Sequence, residues 1–248
     1  MQRASALLWS FVGADTELGV TSLSKQLGLH KSTVSRLLAT LQQEGFVEQN
    51  PETGKYHLGW GVVTLAGVVL ERLDLRQLVH PYLVELAQKT QETTNLTVLD
   101  GLSCINIDGV PSPHPIQYVG RIGRRTPTYC TSTGKVVLAY LTVDDRADYL
   151  PQSLTRYTNK TIVDRQALDA ELEKVKAQGF AISDEELQEG LTAVAAPIVN
   201  HSGQVIAAIA VSGLTYRIGS SEIQRLVAAV KQTAETVSNQ LGWRRSSG

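Results

Sequence analysis

Between Lys31 and Gln43 the apolar residues Val34, Leu37, Leu38 and Leu41 recur at i, i+3, i+4 and i+7, the spacing of one buried helical stripe. At about 100° per residue, Ser32, Arg36 and Gln43 then point away from that stripe, with Thr33, Ser35 and Thr40 on its flanks. An ordinary solvated face would carry more Glu and Lys. This one has no acid at all between Lys31 and Gln43, so it is suited to meet something negatively charged and patterned.

The same periodicity organises the flanking chain. A first helix is expected over about Arg3–Val12, with Leu7, Leu8 and Phe11 on one face. Thr21 is the expected N-cap of a second helix, "SLSKQLG", whose Leu23 and Leu27 face inward and whose Gly28 supplies a left-handed C-cap. Two helices joined by a tight Gly-containing turn, the second with an outward polar face, form a helix-turn-helix. Short strands at Phe46–Gln49 and Lys55–Leu58 flank the turn formers Asn50, Pro51 and Gly54, so the pattern there is a hairpin, or wing. His30 and His57 belong to this module.

After Gly59 and Gly61 comes an apolar helix whose Leu65, Val69 and Leu73 keep a stripe that a lone exposed connector would not need. Pairing with a second copy of the chain would use it. A further helix, about Leu75–Glu92, opens a separate domain that alternates strands with helices. "NLTVLDG", "SCINIDG" and "IQYVG" are expected as strands, and "GKVVLAYL" as a helix after a polar turn. Asp164 caps a helix with Leu168, Leu172 and Val175 inward and Gly179 at its end. "FAISDEE", "LTAVAAPIV" and "VIAAIAVSG" follow as strands, the last two joined by "NHSGQ", and a final helix spans about Ser221–Leu241. The expected organisation is a winged helix-turn-helix at 1–58, a linker helix at 59–74, and an α+β domain at 75–248 with an antiparallel sheet flanked by helices.

Composition alters this picture little. The 42% hydrophobic and 19% charged fractions are those of a globular chain, and the net charge is −1. Through residue 58, Arg3, Lys25, Lys31, Arg36 and Lys55 balance Asp15, Glu17, Glu44, Glu48 and Glu52. Affinity for phosphate must therefore come from local segregation of charge, strengthened by dimerisation. Cys104 and Cys130 sit in no metal-binding spacing, which fits buried thiols in a reducing cytoplasm. No apolar run is long enough to span a bilayer, and no cleavable leader pattern opens the chain.

Catalytic signals are sparse. "TSTGK" (131–135) fails as a phosphate loop because Tyr129 and Val136 stand where a Gly and a Ser or Thr are needed. Ser132, Thr133 and Gly134 nevertheless precede a helix, and their N–H groups favour a small anion. "SDEELQEG" (183–190) has no histidine near it in sequence and is expected to be a solvated acidic turn. No cofactor is implied. The rival readings are an enzyme using Cys130 or Lys135 as nucleophile, and a winged helix used for protein contacts.

"STVSRLLATLQQEGFVEQNPETGKYHLG", "RIGRRTPTYCTSTGKVVLA", "FAISDEELQEGLTAVAAPIVNHSG" and "AIAVSG" together resemble the IclR family of bacterial transcription regulators, in order and over essentially the whole chain. The resemblance implies a C-terminal effector-binding domain related to GAF folds. It also implies dimers, often paired into tetramers, on palindromic double-stranded DNA operators. Lys31, Ser32, Thr33, Ser35, Arg36 and Lys55 are the expected DNA contacts. The effector pocket would fall on Thr133, Gly134, Ser183, Leu191, Ala193, Ala210 and Ser212, with Tyr118, Ile122 and Tyr129 in reach. Where small-acid binders of the family can place an aspartate, a cysteine and a serine, this chain has Ser183, Ala193 and Ala210. That departure implies a roomier, less polar pocket and an aromatic or otherwise apolar carboxylic acid as effector.

Overall fold

A computed structural model describes residues 2–12, 17–71 and 74–243, and the chain divides into compact units at residues 1–74 and 75–248. In the first unit, helices α1 (Gln2–Trp9), α2 (Val20–Leu27) and α3 (Lys31–Gln43) surround a core of Leu7, Leu23, Val34, Leu38, Leu41 and Val47. The stripe read from the sequence is thus the packed one, with Leu37 half-buried beside it. Truncating a fully buried leucine such as Leu38 to alanine should cost about 2–5 kcal/mol. Gly28 caps α2 at φ 63° and its N–H donates to the Ser24 carbonyl.

The start of α2 differs from expectation. It begins at Val20 after the extended Gly19, with no side-chain cap, so Thr21 lies inside the helix. The cause is a bridge one residue earlier: Leu18 exchanges backbone hydrogen bonds with Tyr56 at 2.8 and 2.9 Å. This bridge adds Leu18 to the edge of the wing, whose strands are β1 (Val47–Gln49) and β2 (Tyr56–Leu58). Helix α4 (Trp60–Glu71) follows directly. A Cβ at Gly59 or Gly61 would lie 2.4 or 2.8 Å from the Gly45 carbonyl oxygen. Glycine at both positions lets the opening of α4 lie against the chain just after α3, where Gly61 N–H donates to that carbonyl at 2.9 Å.

The second unit holds helix α5 (Asp74–Thr90) and a six-stranded antiparallel sheet ordered β5-β4-β3-β8-β7-β6. Its strands are β3 (Thr93–Asp100), β4 (Ser103–Val110), β5 (Arg125–Pro127), β6 (Ala181–Asp184), β7 (Leu191–Val199) and β8 (Val205–Leu214). On one face α6 (Ser132–Ala139) and α8 (Arg165–Gln178) pack over Ala181, Ala195, Ala208 and Ala210. Strand alternation sends Val194, Ala196, Ile198, Ile209 and Val211 to the other face. There α9 (Ser220–Gln240) packs on β7 and β8, and Ser238 accepts the Val199 N–H at 2.9 Å.

Two local expectations do not hold. "IQYVG" (116–120) is irregular, and the third strand is β5 instead. Side chains of the sheet take up its carbonyls: Thr93 donates to Tyr118 O at 2.6 Å and Asn106 to Gly120 O at 2.8 Å. A short helix, α7 (Val143–Asp148), had no counterpart in the sequence reading. Thr142 caps it by accepting the Asp145 N–H, a Thr-x-x-Asp signal of helix initiation. Among the described residues no helix is long and apolar enough to cross a membrane.

Candidate nucleic-acid interface and ligand cavity

Helix α3 opens on His30, whose extended backbone and ring make it the N-cap: Nδ1 lies 3.4 Å from the Ser32 N–H and 2.9 Å from the Ser32 hydroxyl. The sequence places His30 in the module, and the structure adds its capping role. Lys31, Ser32, Ser35 and Arg36 are exposed, Thr33 is half-buried, and the first turn carries no acid. Backbone N–H groups and the positive end of the helix dipole therefore stand beside Lys31 on an acid-free surface. Lys55 is exposed at the start of the wing's returning strand. The wing tip is held to the chain before α2, because Glu17 accepts from Asn50 Nδ2 at 2.6 Å and Thr53 Oγ1 at 2.8 Å. These bonds, with Lys55 and His57 nearby, hold the Glu17 carboxyl below its ordinary range.

In the second unit every strand of the sheet sends side chains into one cavity. Thr126 comes from β5, Asn106 from β4, Asn95 and Thr97 from β3, Ala210 and Ser212 from β8, Leu191 and Ala193 from β7, and Ser183 from β6. The register sets Ser183 opposite Ala193, Ala193 opposite Ser212, and Ala210 opposite Asn95, so these side chains share a face. Thr131, Ser132 and Thr133 close one wall at the start of α6, and Leu187 and Gln188 close another. Tyr118 and Arg124 complete the lining, with the Arg124 guanidinium 5.1 Å from the Tyr118 ring centre. The cavity volume is about 60 Å³.

Seven of the ten expected pocket residues meet there: Tyr118, Thr133, Ser183, Leu191, Ala193, Ala210 and Ser212. The other three do not line it. Ile122 is exposed on a turn. Tyr129 is buried in the α6–α8 core, with its hydroxyl donating to Thr155 O at 2.8 Å. Gly134 is spent on packing, since a Cβ there would lie 2.0 Å from the Thr128 carbonyl oxygen. Its N–H is also taken, by the Thr131 hydroxyl at 3.2 Å, because Thr131 caps α6 and Ser132 is already helical. Among intrahelical donors, the N–H groups of Ser132 and Thr133 are the ones left facing outward. Asn95, Thr97, Asn106, Arg124, Thr126, Thr131, Leu187 and Gln188 were missed. Their signal was present but masked, since strand alternation puts the polar Asn95, Thr97 and Asn106 on a face that is elsewhere core.

The acidic turn is solvated only in part: Asp184 and Glu189 are exposed, but Glu186 is not. Glu186 is buried and pairs with the fully buried Lys135, Nζ to Oε1 at 2.6 Å, while Glu171 on α8 meets the same ammonium at 3.2 Å. Burial raises the Glu186 carboxyl, and Lys135 acts against that. Lys160 bridges Asp184 at 2.8 Å and Glu185 at 2.6 Å, and its hydrogen bonds lower both carboxyls. Burial pushes the thiols of Cys104 and Cys130 up to about 12. A thiol so protonated and an ammonium so paired are poor nucleophiles.

A winged helix with an exposed acid-free face, on one chain with an antiparallel α+β unit that holds a cavity of mixed polar and apolar lining, defines a ligand-binding class of DNA-binding transcription regulator. The chain belongs to the IclR family: residues 1–51 match the IclR helix-turn-helix domain and residues 67–239 the bacterial transcriptional regulator IclR C-terminal domain. It is 37% identical to the HTH-type transcriptional regulator XynR of Escherichia coli K12, over 98% of this chain and 97% of that one. It is 35% identical to the regulator KdgR of the same organism, over 94% and 89%. Among solved structures, the Thermotoga maritima IclR superposes with a TM-score of 0.78 at 28% identity, covering 98% of each chain. An IclR regulator from Alicyclobacillus acidocaldarius gives 0.84 at 27%, covering 97% and 98%. The chain is a transcription regulator and not an enzyme.

Proposed function

We propose that this regulator binds a palindromic operator as a dimer or a pair of dimers, in the cytoplasm, and responds to a small organic carboxylic acid held in the cavity of residues 75–248. The observation that carries the reading is the pairing of an acid-free exposed face on α3 with a cavity whose lining holds a single charged side chain, Arg124. Lys31, Lys55 and the start of α3 contact phosphates, which set register; Ser32, Thr33, Ser35 and Arg36 reach base edges in the major groove. Exposed Trp60 and Val63, about one turn apart on one side of α4, support a second copy as partner, since apolar surface of this kind is normally covered; Leu65 is exposed on another side of the helix. The side chain of Val69, and Leu73 entirely, lie outside the described residues. A two-fold dimer then requires half-sites one or more helical turns apart.

The effector follows from the lining. Arg124 supplies a carboxylate partner, and the free N–H groups at the start of α6 supply a second. Leu187, Leu191, Ala193, Ala210 and the Tyr118 ring give the lining its apolar contact, and hydroxyls and amides of Asn95, Asn106, Ser183 and Ser212 stand among them. With Tyr129 and Ile122 elsewhere, Tyr118 is the aromatic side chain of the lining. Mobility shifts with genomic fragments, with and without candidate acids, test the reading. Sequence-selective, salt-sensitive shifts that change with an acid support it. A protein that is monomeric by sedimentation at micromolar concentration, or that binds no fragment selectively, refutes it.

A further inference from the structure

We infer that His30 makes the Ser32 hydroxyl a hydrogen-bond acceptor only, so that Ser32 reads an exocyclic amino group in the major groove, adenine N6 or cytosine N4. This deepens the proposed function and rests on the reading that α3 faces base edges. A serine ordinarily serves either kind of base, because its hydroxyl rotates to give or take a hydrogen bond. Here the rotation is blocked. His30 and Ser32 are both exposed at the start of α3, and His30 Nδ1 lies 3.4 Å from the Ser32 backbone nitrogen and 2.9 Å from Ser32 Oγ. A backbone N–H only donates, and this one is given to the ring as the N-cap bond of the helix. Nδ1 is therefore the ring nitrogen without a proton, and Nε2 carries it.

The bare nitrogen fixes the hydroxyl in turn. An Oγ lone pair turned toward Nδ1 at 2.9 Å would face another lone pair, so the Ser32 O–H points at Nδ1 instead. Only the lone pairs of Oγ remain for a partner outside the helix. Phosphate oxygens, guanine N7 and O6, and thymine O4 all accept, so such a hydroxyl has nothing to offer them. Adenine N6 and cytosine N4 donate. Ser35, also exposed on α3, has no comparable partner among the described residues, and its hydroxyl stays free to serve either kind. His30 is thus a positioning residue: it acts on the base through Ser32.

Duplexes selected from a random library by the full chain supply the probe, and base analogues placed in one half-site test the polarity. Purine for adenine and 2-pyrimidinone for cytosine remove the amino group; 2-aminopurine for guanine and 5-methyl-2-pyrimidinone for thymine remove the keto oxygen. At one base, loss of the amino group should weaken wild type about 3- to 30-fold in competition binding, and Ser32→Ala by less than about twofold. The transition at that pair, which puts a keto oxygen where the amino group stood, should cost wild type about 10- to 100-fold. His30→Gly, a tolerated N-cap that frees the hydroxyl, should cut the cost of the transition to below about threefold. His30→Asn, whose Oδ1 takes the same proton, should keep the wild-type cost. The wild-type and Ser32→Ala results stand as a test even if a His30 variant frays α3. A Ser32-dependent loss on removing a keto oxygen, no Ser32-dependent loss at any base, or an undiminished cost of the transition in His30→Gly overturns the inference. In each of these cases α3 remains the reading element if Arg36→Ala relaxes sequence preference. A library that yields no selected sequence overturns both.

Discussion

The proposed DNA-facing surface draws its side chains from one helix and the wing, whereas the cavity draws on all six strands of a sheet, a helix start and two loops. On α3 the buried residues Val34, Leu38 and Leu41 sit within eight positions of one another, and they fix where Ser32, Ser35 and Arg36 must point. In the cavity Asn95 and Ala210 are neighbours only because β3 pairs with β8. A functional face that follows helical periodicity is set by local sequence. A cavity set by strand order is a property of the topology, and its polar residues look like stray positions until the sheet is assembled.

The walls of the cavity are therefore where the largest effect is expected. Lys135 on α6 and Glu186 beside Leu187 and Gln188 tie two of those walls together through a buried ion pair. Lys135→Met leaves a buried carboxylate uncompensated and should cost about 3–5 kcal/mol in urea unfolding. Adding Glu186→Leu to it should recover most of the loss. A single variant as stable as wild type would show that the walls are not joined in this way.

Arg36→Ala probes the other side of the comparison. It should cost about 1–3 kcal/mol in operator affinity and relax sequence preference, with unfolding unchanged. Lys55→Ala should weaken all sequences alike and make the salt slope shallower by about one unit. Unchanged preference in Arg36→Ala, measured by competition with scrambled sites, would remove α3 as the reading element. A smaller effect belongs to Thr131, the cap of α6: Thr131→Ala should lower stability by about 1 kcal/mol in thermal melts.

The smallest effect is a pH dependence. Lys160 holds the Asp184 and Glu185 carboxyls below their ordinary values. Their contribution is present at neutral pH and is lost as pH falls through those lowered values, because the unfolded chain then binds protons more readily. Lys160→Met should lower the neutral plateau slightly and flatten the acid limb by the same small amount, since the pair is half exposed. An identical acid limb in the variant would contradict the assignment.

Much of the fold was legible because its signals are local. The α3 stripe, the Gly28 cap, the Asp164–Gly179 helix and the 200–204 hairpin each depend on residues a few positions apart. What failed was what depends on a distant partner. Thr21 lost its capping role to the Leu18–Tyr56 bridge, and "IQYVG" gave up strand pairing to Thr93 and Asn106. Glu186 looked solvated because nothing in its own neighbourhood showed that Lys135 lies beneath it. The pocket residues carried over from the resemblance meet in one cavity for the most part. Arg124, which gives that cavity its charge, was not singled out, since "RIGRR" reads as an ordinary basic turn.

The central claim is that one surface reads DNA while a separate cavity, keyed by Arg124, senses an acid. Fluorescence anisotropy of labelled operator DNA, titrated with wild type and Arg124→Gln in the presence and absence of the carboxylic acid that binds best, tests it most directly. The account predicts equal DNA affinity for both proteins without the acid, a shift in wild-type affinity when the acid is added, and none in Arg124→Gln at the same concentration. An undiminished response in Arg124→Gln would contradict it.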